Sequence, residues 1–307
     1  MGYDEGMTDQ AVSISLVLGS GGARGLTHIG IIRWLEDNGY RIDSISGSSI
    51  GALVGGIYAM GKLDEFVNWV SAINHSEMFD LLDFTLRSAG IVKGERIIET
   101  LRNLTGEKNI EDLPIPFTAV ASDIVNEKEV WISSGPLFEA IRASISIPLL
   151  FAPGNYRGLQ LLDGGILNPV PIAPTFRDYT EQTIAVNLSG PVDPTVKLPE
   201  KVTEEDSEDS FFSRTVSDFV ESLRKEAKPS RLEGIYDVAI QAIDTMQGTI
   251  GRQKLAAYPP DHVVTVPRSI CTIMEFDKAR ELIDAGYELA GQQLQPATPH
   301  PVSPFED

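Results

Sequence analysis

The sequence predicts an α/β protein, a mainly parallel sheet with helices over its faces. Three observations carry this. Val12 to Leu18 (VSISLVL) is a β-rich apolar run that enters a glycine-rich loop and then a helical pattern. Ile42 to Ile45 is a second short apolar run, leading into a Gly-x-Ser-x-Gly turn and a small-residue helix. Thr183 to Leu188 (TIAVNL) adds a buried strand far downstream. A strand–loop–helix unit used twice brings the chain back to the same end of the sheet, so its strands run parallel.

The elements follow in order. Leu26 to Asn38 places Ile29, Ile32, Trp34 and Leu35 at helical spacing and stops at Gly39. Ala52 to Met60 and Leu63 to Ile73 read as further helix, residues 75–95 as irregular, and Glu95 to Leu104 as helix. Phe117 to Ser122 (FTAVAS) and Glu129 to Ser133 (EVWIS), separated by Asn126-Glu127-Lys128, read as a hairpin. Pro136 to Ala143 is a helix with proline in its first turn. Leu159 to Leu162 is a short strand that ends in Asp163-Gly164-Gly165. Glu200 to Asp209 holds six acids and one lysine behind Pro191, Pro194 and Pro199, so residues 190–210 are expected to form a mobile acidic loop. Phe211 to Lys228 has an apolar face of Phe212, Val216, Phe219, Val220 and Leu223, and Ile235 to Ile250 is a second helix. Residues 211–260 are thus expected to be a helical cap or lid. His262 to Val266 reads as the last strand and Phe276 to Leu294 as the closing helix. One domain is expected over residues 12–295, between a flexible N-terminus (1–11) and a proline-rich tail (296–307).

Composition narrows the function. A net charge of −19 argues against nucleic-acid partners, whose phosphates would be repelled. The single cysteine, Cys271, excludes an internal disulfide and reads as a buried structural thiol. The Gly47, Gly51, Gly55 spacing fits a helix lying close on a sheet better than a membrane span. Met1 to Gln10 is polar and acidic, from which a cytoplasmic location is expected. Arg214, Arg224, Lys225 and Lys228 lie on the helix 211–228. A core-packing helix with solvated charges is the favoured account; transient docking at the inner membrane face is the sharper one.

The chemistry centres on Gly47 to Gly51. A serine on a tight strand-to-helix turn needs small neighbours, and Ser49 sits between two glycines. The loop Gly19-Ser20-Gly21-Gly22-Ala23-Arg24-Gly25 lacks the Gly-Lys-Ser/Thr of a P-loop, and its glycines do not match a dinucleotide fingerprint. Its remaining use is to present backbone N–H groups to a developing anion. Asp163 stands at a strand end beside two glycines, where a carboxylate stays accessible, although an ordinary turn has the same pattern. Of the four histidines, His28 lies inside the first helix, His75 in an irregular segment and His300 in the tail. His262, which opens a strand late in the chain, is the one histidine that fits a serine triad of the usual order.

These pieces resemble the patatin-like phospholipase family. The resemblance rests on Ser20-Gly21-Gly22-Ala23-Arg24-Gly25, Gly47-Ser48-Ser49-Ile50-Gly51, Asp163-Gly164-Gly165, and Ile141 to Pro148 (IRASISIP), and it spans about Val12 to Leu188. Ser20 departs from it, standing where the family has a glycine. The resemblance implies a patatin-like three-layer α/β/α sandwich and a Ser49–Asp163 dyad with no histidine, metal or cofactor. It implies an oxyanion hole from Gly21, Gly22 and Ala23, with Arg24 holding the loop or attracting a phosphate. Gly47, Gly51, Gly164 and Gly165 would shape the turns. The implied reaction is hydrolysis of lipid or phospholipid esters, of phospholipase A or lysophospholipase type. The alternatives are an acyltransferase or thioesterase on the same dyad, or a non-catalytic lipid- or nucleotide-binding module. A free aspartate is a poor base at neutral pH, so the site should be dry enough to raise its pKa.

Overall fold

In the computed structural model, residues 11–73, 94–196, 198 and 231–298 are described. Alternation along β1 (Val12–Leu18) sets the layers. All seven of its residues are buried, with Ile14, Leu16 and Leu18 in the main core and Val17 in a smaller cluster. Successive side chains on a strand point to opposite faces, so both faces of the sheet are covered at β1. On one face lie α1 (Thr27–Asp37), α2 (Ile50–Ala59) and the last described helix (Ala279–Gln293). On the other, Val170 and Ile172 cover Val17 and Ala185, with Leu255 against them.

Among the described residues the sheet has eight strands. β2 (Tyr40–Ser48), β3 (Phe117–Asp123), β7 (Gln182–Gly190) and β8 (His262–Pro267) join β1 in a parallel core ordered β3-β2-β1-β7-β8. β4 (Lys128–Ile132), β5 (Gly154–Tyr156) and β6 (Leu159–Asp163) form an antiparallel flank around β3. One consequence positions the site. Ala119 and Val120 pair with β2 on one edge of β3 and with β4 on the other. Ala121 and Ser122 pair with β6 and with β4. Because β4 keeps its edge throughout, β2 and β6 share the opposite one, and their C-terminal ends meet head-on.

Among the described residues the remaining helices are α3 (Leu63–Ala72), α4 (Glu95–Thr105), α5 (Leu137–Ser144) and α6 (Arg231–Ala257), and the closing helix is α7. The expected hairpin is β3–β4, the expected strand before Asp163 is β6, and the expected proline-led helix is α5. Three features differ from expectation. β2 is nine residues long and α6 twenty-seven, because alternation and helical periodicity both weaken where small or polar residues interrupt the apolar pattern. The three-residue β5 was not expected; its sequence, GNY, carries no strand pattern. The chain divides into two compact units, residues 1–198 with 246–307 and residues 199–245, and all the site residues below belong to the first. The expectations for residues 1–10, 75–93, most of the acidic loop 190–210, the helix 211–228 and the tail beyond 298 fall outside the described residues. No helix among the described residues is long and apolar enough to cross a membrane. Cys271 is buried and its thiol is pushed up to about 12 by burial, which leaves it protonated and inert.

Candidate active site

Ser49 is the first residue beyond β2 and the N-cap of α2, with φ 55 and ψ −124. A non-glycine residue held there costs about 1–3 kcal/mol and persists only where its surroundings enforce it. They do so through both ends of the peptide. The Ser49 carbonyl accepts from Ala52 N (2.9 Å) and Leu53 N (3.1 Å), and its amide donates to Ser144 Oγ (2.9 Å). Backbones crowd this turn. A Cβ on Gly51 would lie 2.1 Å from the Leu18 carbonyl oxygen, so only glycine lets α2 sit so close to β1.

The head-on meeting of β2 and β6 brings Asp163 to Ser49. Ser49 Oγ donates to Asp163 Oδ2 at 2.5 Å, and Gly165 N donates to Asp163 Oδ1 at 2.8 Å. Ser49 is 3% exposed and Asp163 not at all. Burial raises the Asp163 pKa from 3.8 to about 7, against the smaller opposing effects of the bonds from Ser49 and Gly165. This is the dry carboxylate that a base working near neutrality requires. Gly164 keeps the turn tight, since a Cβ there would fall 2.0 Å from the Val120 carbonyl oxygen.

The glycine loop follows β1 at the same end of the sheet and winds into a 3-10 turn, Gly22–Leu26. Gly22 has φ +59 and lines the same cavity as Ser49. Among the described residues, the amides of Gly21 and Gly22 donate to no backbone carbonyl. Ala23 differs from expectation: its amide donates to the Ile273 carbonyl at 2.9 Å, which takes it out of the set of open donors. Arg24 is buried and folds back, its Nε donating to the Gly21 carbonyl at 3.1 Å. That bond ties Arg24 to the glycine loop. His28 braces it as well. Its Nε2 lies 2.9 Å from the Gly19 carbonyl oxygen, and burial lowers its pKa to about 4, so the ring is neutral.

An apolar cavity opens beside Ser49, lined by Leu53, Ile97, Ile145, Phe151, Ile273 and Phe276 among others. His262 stands elsewhere. It is exposed at the start of β8, three strands from β2 and so about 14 Å away across the sheet alone. His75 and His300 lie outside the described residues.

The geometry also brings in residues for which sequence inspection assigned no role. Ser144 and Ser146 contact the backbones of Ser49 and Asp163, and Ile273 fixes the glycine loop. The available signal was two serines alternating with isoleucines in an otherwise apolar segment.

The family model described as patatin-like phospholipase matches residues 16–176, just over half of the chain. The chain belongs to the patatin-like phospholipase family. Over 92% of its length this patatin-like chain is 38% identical to an NTE family protein of Mycobacterium tuberculosis, covering 91% of that protein. It is 32% identical over 194 residues to lysophospholipase NTE1 of Yarrowia lipolytica, covering 61% of this chain and 13% of that protein. Among solved structures, VipD from Legionella pneumophila matches 92% of this chain and 66% of its own, with a TM-score of 0.43 and 15% identity.

Proposed function

We propose that this protein is a serine acyl hydrolase that cleaves ester bonds of lipids or phospholipids, of phospholipase A or lysophospholipase type. The observation that carries this is the buried 2.5 Å hydrogen bond from Ser49 Oγ to Asp163 Oδ2, with a carboxylate whose pKa lies at about 7. In the proposed reaction Ser49 Oγ attacks the ester carbonyl carbon as its proton passes to Asp163 Oδ2. The oxyanion is held by the amides of Gly21 and Gly22, worth about 10²–10³ in rate for each such donor. Collapse of the tetrahedral intermediate expels the alcohol, which leaves with the proton from Asp163. Water then attacks the acyl-serine, gives its proton to Asp163 and releases the fatty acid, while Ser49 recovers its proton. The apolar cavity beside Ser49 supports a fatty acyl chain as the group transferred. The lysophospholipase named among the relatives supports a lipid ester as substrate.

A fluorophosphonate probe tests the reading. The wild type is expected to be labelled and Ser49→Ala not, and mass spectrometry of products from a lipid panel identifies the bond cleaved. A wild type that neither reacts with the probe nor releases fatty acid from any lipid would overturn it.

A further inference from the structure

One short segment touches both halves of the dyad. Ser144 ends α5 and is fully buried. Its Oγ donates to the Val120 carbonyl at 2.6 Å and accepts from the Ser49 amide at 2.9 Å. A hydroxyl has one proton, so donation to Val120 leaves only lone pairs for Ser49 and fixes the polarity of the contact. Two residues on, the Ser146 carbonyl accepts from the Asp163 amide at 3.0 Å. Arg142 holds Ser146 in turn, its Nη1 donating to Ser146 Oγ at 2.7 Å and its Nη2 to the Ala152 carbonyl at 2.9 Å. Val120 itself pairs with Ser48, the residue before the nucleophile. Ser144 therefore ties Ser49 to the β3 carbonyl at the end of β2, while the peptide after next ties down Asp163.

On the acyl-hydrolase reading above, we propose that Ser144 is a positioning residue, whose hydroxyl holds the strained Ser49 turn so that Oγ rests on Asp163. Its contribution appears in the chemical step and not in substrate binding, because the hydroxyl faces the backbone behind the nucleophile. The contact also commits the Ser49 amide, so that on the same reading the oxyanion donors would come from the glycine loop and not from the nucleophile itself.

The test compares wild type, Ser144→Ala, Ser144→Thr and Ser144→Cys by the rate and the final stoichiometry of fluorophosphonate labelling. The kcat and KM for a short p-nitrophenyl ester are measured beside them, with a melting curve for each variant. Ser144→Ala is expected to reach full stoichiometry, with labelling rate and kcat lowered on the order of 10–100-fold and KM little changed. Ser144→Thr, which keeps the hydroxyl, is expected to restore most of the rate. A Ser144→Ala protein that labels and turns over within about twofold of wild type overturns the proposal, the loss expected from misplacement being far larger. If Ser144→Ala does not fold, Ser144→Cys takes its place, since a thiol of similar size is only a weak acceptor. Slow labelling there supports the proposal, and wild-type labelling overturns it. Failure of the wild type to label would instead count against the acyl-hydrolase reading, and would overturn this proposal with it.

Discussion

Two carboxylates flank β3 and have opposite fates. Asp163 pairs with Ala121 on one edge, and Glu129 pairs with Ser122 on the other. Neighbouring residues of a strand face opposite sides, so the two acids point into different layers. Among the described residues Asp163 receives only neutral donors, Ser49 Oγ and Gly165 N, and its pKa rises to about 7 through burial. Burial also works to raise Glu129, but Lys254 Nζ (2.5 Å), Trp131 Nε1 (3.0 Å) and Asn168 Nδ2 (2.8 Å) outweigh it and hold its pKa below the usual value. The difference teaches that burial alone does not make a base. A half-buried carboxylate with a cation stays ionised and acts as a strut. Without one it is poised to exchange a proton near neutral pH.

The largest expected effect comes from neutralising the uncompensated acid. Asp163→Asn is expected to lower kcat on a short ester by about 10²–10⁴-fold, the range for removing a general base. Wild-type kcat/KM is expected to rise with pH through about 7, as Asp163 loses its proton, and the residual rate of the variant to lack that step. Stability should move the other way. The folded pKa lies above the unfolded one, so the folded protein binds more protons between about pH 4 and 7 and loses stability as pH rises through that window. The gap between 3.8 and about 7 corresponds to about 4 kcal/mol. Asp163→Asn is therefore expected to be more stable than wild type at pH 8, with the advantage disappearing near pH 4. Urea titrations at the two pH values measure it. Equal stability at pH 8 would show that Asp163 carries no buried charge.

Breaking the strut should give the opposite pattern. Lys254→Met removes the cation from Glu129, and each side chain of the pair is 22% exposed. That places the pair between surface and buried examples, so a loss of about 1–3 kcal/mol is expected. The folded pKa of Glu129 is depressed, so its stabilisation exists above the unfolded pKa near 4.5 and fades as pH falls below it. The deficit of Lys254→Met is thus expected to be full at pH 7 and small at pH 3, in the same urea titrations. Turnover of a short ester is expected to change little. A collapse in kcat would mean that Glu129, through Asn168, also sets the dyad, and the division between strut and base would fail.

Much of this site is legible in the sequence because its parts are steric. Gly51 and Gly164 stand where a side chain would collide with backbone, and their spacing around Ser49 and Asp163 marks both turns. The parallel core was legible for the same local reason, since β1 and β2 each run directly into a loop and a helix. What stayed hidden depends on long-range contact. No local pattern reports that Ile273 takes the Ala23 amide, or that Ser144 takes the Ser49 amide. Nor does periodicity show that β6 abuts β2, because that follows from how three other strands share the edges of β3. The direction of the Asp163 pKa could be anticipated from the chemistry of a base, while its cause, burial without a cation, needed the fold.

The smallest expected effect falls on the residue that chain order alone would choose. His262 comes after the serine and the aspartate, as a triad histidine should. Yet the parallel strands place Ser49 beyond the C-terminal end of β2, while His262 opens β8 from the other direction. A base must come within about 3 Å of the proton that it takes, directly or through one water. Three strand spacings separate the two, about 14 Å before any offset along the strands is added. His262→Ala is therefore expected to leave kcat and KM for a short p-nitrophenyl ester within about twofold of wild type, in the ordinary range for a surface substitution. A loss as large as that of Asp163→Asn would require the histidine to reach Ser49 through the sheet, and would remove the contrast between the two acids as the basis of the mechanism.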